Sequence, residues 1–199
     1  MGASMNSTKI FDLVQDNRSC RRFHEDHEVG LGTLKELVNL GRISASGANL
    51  QPLKYILSCD SKTNADIFTC LAWAGYLKDW PGPEEGERPS AYIVQLGDLD
   101  LTRDWWCDDG IAAQSMLLTA VEQGFGGCII GSVQRERLRD ILDIPEQYKI
   151  IQVLALGRPA EEVVIDKMVK DDIKYWRDEN GVHHVPKRGL DELILSFTG

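Results

Sequence analysis

Three arginines lie within five residues near the start of the chain, in residues 18–22 (RSCRR), which are called here the arginine segment. Arginine forms paired hydrogen bonds to phosphate oxygens, and a neighbouring serine hydroxyl adds a short donor. The segment could therefore bind a phosphate group. The alternative is a solvated basic turn that pairs with the nearby carboxylates of Glu25, Asp26 and Glu28, and the segment taken alone favours that alternative.

Residues 46–52 (SGANLQP), the amide segment, place hydrogen-bonding side chains among small residues. Asn and Gln each have donors and an acceptor, so Asn49 and Gln51 could recognise a flat edge of mixed N–H and C=O groups. The small residues would let the backbone come close to a ligand. The alternative is a plain turn between a helix and a strand, in which Ser, Gly, Asn and Pro are common.

A third segment, residues 126–132 (GGCIIGS), has glycines on both sides of a short apolar run and is called the glycine segment. Its backbone amides could lie against a planar ring, or its glycines could form only a tight turn. It matches neither the G-x-G-x-x-G fingerprint nor a P-loop. Elsewhere, the acids Asp108 and Asp109 are adjacent rather than facing, and no nucleophile-elbow pattern occurs.

The elements that must position these segments follow from apolar spacing and turn residues. The spacing predicts helices over 9–16, 33–41, 65–77, 109–123 and 135–142, and strands over 54–59, 91–96, 128–130 and 150–156. The predicted N-caps are Ser7 or Thr8 for the first helix, Thr33 for the second and Ser132 for the last. Alternating elements of this kind predict an α+β domain, with helices layered on a sheet.

Two regions have features that contact with a partner subunit would explain. The helix predicted over 109–123 is apolar around nearly its whole circumference, which is typical of a helix at the centre of a core or at a subunit interface. The 40 residues after Pro159 are mostly polar and make little core of their own. Such a tail would gain buried surface by wrapping around a partner subunit.

Composition narrows the classes of partner and of site. The 199-residue chain has 31 acidic and 22 basic residues, a net charge of −9, which disfavours nucleic acid as the main partner. No stretch approaches about 18 consecutive apolar residues, and the first residues lack the apolar core of a secretion signal, so we expect a cytoplasmic protein without a membrane span. Five cysteines without a CxxC pair predict reduced thiols and no metal site.

Taken together and in this order, the three segments resemble those of the FMN-dependent nitroreductase family. Residues 18–23 look like the family's RRSxRxF segment, and residues 46–52 look like its SAGNLQPW segment. The stretch from residue 126 through Ile144-Pro145-Glu146 to residue 160 looks like GLGxxxIG…GIPE…LGYPAE. The resemblance implies a central, mostly antiparallel sheet with helices packed on both faces, in an intertwined homodimer. It divides the chain into a flexible N-terminus (1–8), an FMN-binding domain (9–161) and a C-terminal arm (162–199) that wraps the partner subunit.

The same resemblance implies which residues bind the cofactor. In the arginine segment, Arg18, Ser19 and Arg21 would hold the FMN phosphate and the pyrimidine edge. In the amide segment, Ser46, Asn49 and Gln51 would bond the ribityl chain and the ring, with Ser46 serving the flavin of the neighbouring subunit.

Two further groups of residues complete the implied site. Ile130 and Gly131 of the glycine segment would lie against the flavin ring. Lys187 and Arg188 would form a late basic pair for the phosphate. The loop over 78–89, with the aromatic residues Trp73, Tyr76 and Trp80 beside it, is predicted to wall the pocket.

The implied activity is that of an oxidoreductase. NAD(P)H would reduce bound FMN, and the reduced FMN would then reduce a planar acceptor such as a nitroaromatic or a quinone. Because the flavin carries the transferred hydride, no protein acid or base is required, and no catalytic side chain is predicted. Asn17 and Leu53 depart from the family pattern and bear on substrate choice more than on flavin binding. The alternative is a flavin-binding protein without turnover, a store or a redox sensor.

Overall fold

The computed structural model describes residues 10–196. Its helices are α1 (Ile10–Asp16), α2 (Leu31–Ile43), α3 (Ser61–Phe68), α4 (Asp108–Glu122), α5 (Arg135–Ile141) and α6 (Leu190–Leu193), with a short 3₁₀ turn over Gly47–Asn49. Its strands are β1 (Phe23–His24), β2 (Leu53–Ser58), β3 (Ala91–Asp98), β4 (Gly126–Ile130), β5 (Tyr148–Pro159), β6 (Val163–Lys167), β7 (Trp176–Arg177) and β8 (His183–Lys187). The predicted N-terminal cap at Ser7 or Thr8 and the flexible terminus over 1–8 lie outside the described residues.

A five-stranded antiparallel sheet forms the centre of the fold. The strands follow the order β1-β5-β3-β2, and β4 also pairs with β5, over residues 153–157. Every residue of β3 is buried, because successive side chains of a strand point to opposite faces and both faces are covered. Ile93 packs with α2 and α4 on one face, whereas Tyr92 and Val94 pack with α3 and α5 on the other. The predicted α+β sheet with helices on both faces is confirmed.

Helix α4 belongs to the core of the chain. Its Ala112, Ala113 and Met116 are buried against the sheet and α2, and a side chain at Gly41 of α2 would lie only 3.1 Å from Met116. The small residue at position 41 therefore permits the close approach of the two helices. Ile111, on another face of α4, is exposed. The interface role of that helix stays a prediction.

The helix predicted over 65–77 is wrong in its bounds. Helix α3 begins earlier, because the carboxylate of Asp60 caps it by accepting a hydrogen bond from the backbone N–H of Thr63 at 2.8 Å. It ends at Phe68, since the following apolar residues bury themselves elsewhere: Leu71 pairs with Val133 and the N–H of Ala72 donates to the carbonyl of Ser132. Tertiary contacts here replace helical hydrogen bonds.

Two predicted helix caps are also wrong. Helix α2 begins at Leu31 after Gly30, so Thr33 lies inside its first turn. Helix α5 has Gln134 as its N-cap, while the carbonyl of Ser132 accepts from Ala72. At α5 the chain enters the helix where the preceding backbone is already held by its neighbours, since the N–H of Gln134 donates to the carbonyl of Cys70.

The C-terminal arm contains a second sheet that the sequence did not predict. Strand β8 lies between β6, which is parallel to it, and β7, which is antiparallel. The arm folds back on the preceding domain of its own chain, with Nη2 of Arg177 donating to Oε2 of Glu161 at 2.8 Å. These strands of two to five residues are too short to show a clear apolar alternation in the sequence. Whether the arm also wraps a partner subunit stays a prediction.

Three structural findings bear on the expected classes of site. The five cysteines are free thiols. Over residues 10–196, no group of three or more His, Cys, Asp or Glu side chains is arranged to hold a metal ion. None of the helices that the structure describes combines the length and the apolar character that a membrane span requires.

Candidate functional site

The fold brings the arginine segment and the glycine segment side by side. Ser19 pairs with Gly127 as a parallel bridge, and the N–H of Cys20 donates to the carbonyl of Gly127 at 3.0 Å. Position 127 must be glycine for this packing, because a Cβ there would lie 2.4 Å from the carbonyl oxygen of Ala155. Two of the three predicted segments thus form one continuous surface at the edge of β4.

Only one of the three guanidiniums in the arginine segment has a carboxylate partner among residues 10–196. Arg22 forms a bidentate ion pair with Glu87, which raises the pKa of Arg22 and lowers that of Glu87. Glu25, which the basic-turn alternative would pair with an arginine, instead accepts hydrogen bonds from the backbone N–H groups of Gly86 and Arg88. The basic-turn alternative therefore does not describe this segment.

Arg18 and Arg21 keep an uncompensated positive charge. Across the described part of the chain, neither has a carboxylate within ion-pair distance. Arg18 donates from Nη2 to the carbonyl of Val14 at 2.7 Å, and its buried Nε has no acceptor among the described residues. Arg21 donates to the carbonyl of Ser19 at 3.2 Å, with its guanidinium 5.0 Å from the ring centre of Tyr175. In a chain of net charge −9, two such cations are suited to an anionic ligand.

Glu161 fixes the backbone that carries these arginines. Its side chain is fully buried, and Oε1 accepts hydrogen bonds from the backbone N–H groups of Arg21 and Arg22. Its Oε2 accepts from Nη2 of Arg177, in the C-terminal arm, at 2.8 Å. A buried carboxylate needs such partners, since an unpaired charge in the interior is strongly disfavoured. Sequence reasoning did not identify this residue, because its partners lie far away along the chain.

The amide segment is a tight turn whose polar groups bond to one another and to Asp108. The Ser46 hydroxyl donates to Oδ2 of Asp108 at 2.6 Å and accepts from the backbone N–H of Gln51 at 2.9 Å. The N–H of Gly47 donates to Oδ1 of Asp108 at 2.8 Å, and the Gln51 amide donates to the carbonyl of Asn49 at 3.2 Å. Asn49 and Gln51 are exposed, so their remaining hydrogen-bonding capacity faces outward.

Asp108 is the residue that holds this turn, and sequence reasoning missed it. It is 4% exposed at the first turn of α4, whereas the next residue, Asp109, is half-buried. The turn needs this anchor because Ala48, Asn49 and Gln51 have backbone φ angles of 49°, 56° and 51°. Non-glycine residues adopt such left-handed angles only at a cost, which the hydrogen bonds to Asp108 offset.

Within one chain, the arginine and amide segments lie near opposite ends of α4. Ser46 bonds to Asp108, at the start of the helix, while Arg18 lines a groove of about 270 Å³ together with Val121 and Gly124, at its end. The rise of an α-helix separates positions 108 and 121 by about 20 Å along its axis. The groove that Arg18 lines contains no residue of the amide segment, so the two predicted cofactor-binding segments do not share that groove within a single copy.

The glycine segment ends on an open surface. Ile130, the last residue of β4, is 6% exposed, whereas Gly131 has open space where a Cβ would point, with no described atom within 4 Å. The Gly131 carbonyl accepts a hydrogen bond from Nη2 of Arg135 at 3.1 Å, which fixes the backbone there. A flat ligand could therefore approach Gly131 without displacing a side chain.

The predicted late basic pair is exposed at the end of β8, the central strand of the second sheet. Lys187 pairs with Lys167 in the register of β8 and β6. Arg188 forms ion pairs with Asp171 at 2.7 Å and Glu192 at 3.4 Å. Among the contacts of residues 10–196, neither side chain bonds to the arginine segment. A role in phosphate binding stays a prediction for both.

The loop over 78–89 packs against the C-terminal arm. Trp73 is buried against Gly82, so it belongs to the core. Tyr76 lies 4.9 Å from the ring of Tyr175, and Trp80 lies beneath the guanidinium of Arg177 at 4.2 Å. The predicted role of these aromatics as a pocket wall stays a prediction.

Comparison with known proteins identifies the architecture. Residues 87–158 match the model of the nitroreductase family. An FMN-dependent nitroreductase from Clostridium difficile R20291 aligns with a TM-score of 0.62 and 24% identity, over 80% of this chain and 91% of that one. A nitroreductase-like protein from Streptococcus mutans aligns with a TM-score of 0.65 and 15% identity, over 82% and 94% of the two chains. An NADPH-dependent oxidoreductase from Staphylococcus aureus USA300 is 24% identical over 175 residues, which are 78% of this chain and 67% of that protein.

The chain has a nitroreductase fold. The resemblance drawn from the three sequence segments is thereby confirmed. The family match over 87–158 includes the glycine segment and Ile144-Pro145-Glu146 but neither the arginine segment nor the amide segment. The evidence for those two segments is therefore their geometry.

The residues of this nitroreductase fold suit FMN on chemical grounds. The half-buried guanidinium of Arg18 has no carboxylate partner among the described residues, and a phosphate group would supply the opposite charge. The open surface above Gly131 offers backbone and no side chain to a flat ring. FMN has both of these features, a phosphate at one end and a planar ring at the other.

Proposed function

We propose that this protein is an FMN-dependent oxidoreductase that takes electrons from NAD(P)H and passes them to a planar acceptor such as a nitroaromatic or a quinone. The observation that carries the proposal is the pair of guanidiniums, Arg18 and Arg21, that have no carboxylate partner among the described residues and lie beside the glycine segment, whose Gly131 is open, in a nitroreductase fold. The names of the relatives, which mention nitroreductase and NADPH-dependent oxidoreductase, support the reaction class.

The residues of this chain would bind and orient the cofactor and would not donate or accept protons in the reaction. Arg18 and the hydroxyl of Ser19 would hold the phosphate, and Ile130 with Gly131 would face the ring. Arg21 would place a positive charge near the ring edge, where it stabilises negative charge. FMN, when bound, supplies hydride transfer at N5. The nicotinamide and the acceptor would use the same open face in turn, so that positioning provides most of the rate acceleration.

We further propose that the complete site requires a homodimer. The amide segment lies about 20 Å along α4 from the groove that Arg18 lines, so it would serve the flavin bound to a second copy. The exposed part of α4, at Ile111, and the C-terminal arm would supply the contact. The exposed free thiols of Cys59 and Cys107 support a reducing compartment, and we propose the cytoplasm.

Anaerobic reduction tests the enzymatic proposal directly. The purified protein with FMN is expected to lose the visible absorbance of oxidised flavin when NADH or NADPH is added without oxygen. Absorbance should return when a quinone or a nitroaromatic is added. A yellow protein that neither nicotinamide bleaches would be a flavin store or sensor instead.

The dimer is tested by dilution. If a second copy completes the site, flavin should be released as the protein dissociates, and the two events should occur over the same concentration range. Analytical ultracentrifugation with detection at flavin and protein wavelengths follows both. Monomers that retain FMN with unchanged affinity would exclude a shared site.

A further inference from the structure

The C-terminal arm reaches the arginine segment of its own chain through His183. This residue is fully buried at the start of β8, and its Nε2 lies 3.5 Å from Nη1 of Arg21. The ring of Tyr175 lies 5.2 Å from the His183 ring and 5.0 Å from the Arg21 guanidinium. One polar and one aromatic group of the arm therefore flank the same cation.

The surroundings favour a neutral histidine. Burial, together with the nearby Arg21, Arg177 and His184, lowers the pKa of His183 to about 4, against the opposing effect of Glu161. A neutral ring can accept a hydrogen bond at Nε2 while leaving the charge of its donor intact. A carboxylate in the same place would neutralise the arginine.

The arm is itself held against the loop that carries Arg21. Glu161 joins the backbone of Arg21 to the guanidinium of Arg177, which stacks on Trp80. Tyr175 accepts a hydrogen bond from the backbone N–H of Tyr76 at 3.4 Å. The position of His183 relative to Arg21 is therefore fixed from several sides.

We propose that His183 and Tyr175 position the guanidinium of Arg21 for the electron-rich edge of the flavin, and that they do so without neutralising it. The inference rests on the proposed function and adds two positioning residues to it. His183 acts through Arg21 and has no contact of its own with the cofactor. The arm thereby has a role within its own chain, whatever it does for a second copy.

The neighbouring residue His184 provides a matched control. It follows His183 in the same strand, but its ring points the other way, stacked on Trp176 at 4.1 Å and bonded to Asp166 at 2.8 Å. His183→Phe keeps a ring of similar size and removes the acceptor, and His183→Gln restores an acceptor. His184→Phe applies the first change where Arg21 is not involved.

Flavin fluorescence titration and the midpoint potential of bound FMN are the two readouts. His183→Phe should weaken FMN binding about tenfold, the value of one hydrogen bond to a charged group, and should lower the potential. His183→Gln should recover most of both, and His184→Phe should stay within about twofold of the parent. In an Arg21→Ala background, His183→Phe should change the affinity by less than about twofold, because its effect passes through Arg21.

The outcomes separate this inference from the proposed function. Equal losses from His183→Phe with and without Arg21 would show a merely structural role and overturn the inference. Unchanged affinity and potential in His183→Phe would do the same while leaving the function intact. If the parent protein binds no FMN, the function and the inference both fail. Should His183→Phe not fold by circular dichroism, Tyr175→Leu, on the exposed side of the cluster, is put through the same cycle and judged by the same criteria.

Discussion

The arginine segment has two cations without a carboxylate partner among residues 10–196, whereas the amide segment, near the other end of α4, uses its hydroxyl and several of its N–H groups in hydrogen bonds within its own turn and to Asp108. In the sequence the two segments share one feature, a local concentration of hydrogen-bonding side chains. In the structure the polar groups of the two segments have different partners and therefore different roles. An uncompensated charge is suited to a ligand, while an internally bonded turn sets the shape of a surface.

The difference follows from what each segment contacts. Among the described residues, Arg22 is the arginine of this segment that forms an ion pair, with Glu87. The other nearby carboxylate, that of Glu161, accepts hydrogen bonds from the backbone of the segment and not from its guanidiniums. In the amide segment, the carboxylate of Asp108 binds the hydroxyl and the N–H groups that a ligand could otherwise have used. A site therefore depends on where the nearest carboxylate points.

The largest effect is expected from removing both uncompensated cations. Arg18→Ala combined with Arg21→Ala should weaken FMN binding by about 3 kcal/mol or more, since each charge-assisted hydrogen bond contributes about 1.5–3 kcal/mol. Each single variant should lose about half of this. Isothermal titration with FMN measures the loss. Arg137→Ala, which removes an exposed arginine of α5, is the control, and parental affinity in the double variant would contradict the assignment of the phosphate site.

The second prediction concerns how the stability of the protein depends on pH through His183, which lies beside Arg21. The folded protein binds the proton of His183 only near pH 4, whereas the unfolded chain binds it near 6.5. Because the unfolded state then holds the extra proton, the free energy of unfolding should fall by up to about 3 kcal/mol as the pH drops from 6.5 to 4. Urea unfolding at several pH values measures this slope.

The pH slope is read as a difference between variants, because carboxylates titrate in the same range. His183→Phe should lack the contribution of about 3 kcal/mol, and His184→Phe should retain it. Equal slopes in the parent and in His183→Phe would show that the buried ring takes up a proton without penalty.

The third prediction tests the amide end. Asp108→Ala should lower the free energy of unfolding by about 2–3 kcal/mol, because Ser46 and the N–H of Gly47 lose a charged acceptor. Asp109→Ala, one residue along, should change it by less than about 0.5 kcal/mol. Urea unfolding of the two variants measures both free energies. If Asp108→Ala is as stable as Asp109→Ala, the turn does not depend on its anchor and the contrast between the two segments fails.

The smallest effect is expected at Gly131. A Cβ there meets no described atom within 4 Å, so Gly131→Ala should change stability by less than about 0.5 kcal/mol. It should nevertheless weaken FMN binding by about fivefold, because the added methyl group occupies space next to the ring. Gly127→Ala is the contrasting variant, since its Cβ would collide with the Ala155 carbonyl and should destabilise the fold. Unchanged FMN affinity in Gly131→Ala would place the ring elsewhere.

Much of the central fold could be predicted because its signals are local. The strands over 54–59, 91–96, 128–130 and 150–156 correspond to β2, β3, β4 and β5, and the helix over 109–123 corresponds to α4. The second sheet was missed because its strands are only two to five residues long, too short to show an alternation of apolar and polar residues. The end of α3 was misplaced because apolar residues after Phe68 have the same character whether they continue a helix or bury against a neighbouring element.

The sequence by itself determined the three polar segments, their order and the chemistry that each could support, because these depend on residue types at short spacing. Only the tertiary structure decided which charges remain free, since that depends on carboxylates such as Glu87 and Glu161, which are 65 and 140 residues away from their partners along the chain. It also decided that Asp108 is an anchor and that His183 lies beside Arg21. Contacts over such distances are set by the packing of the sheet, and no local pattern in the sequence encodes them.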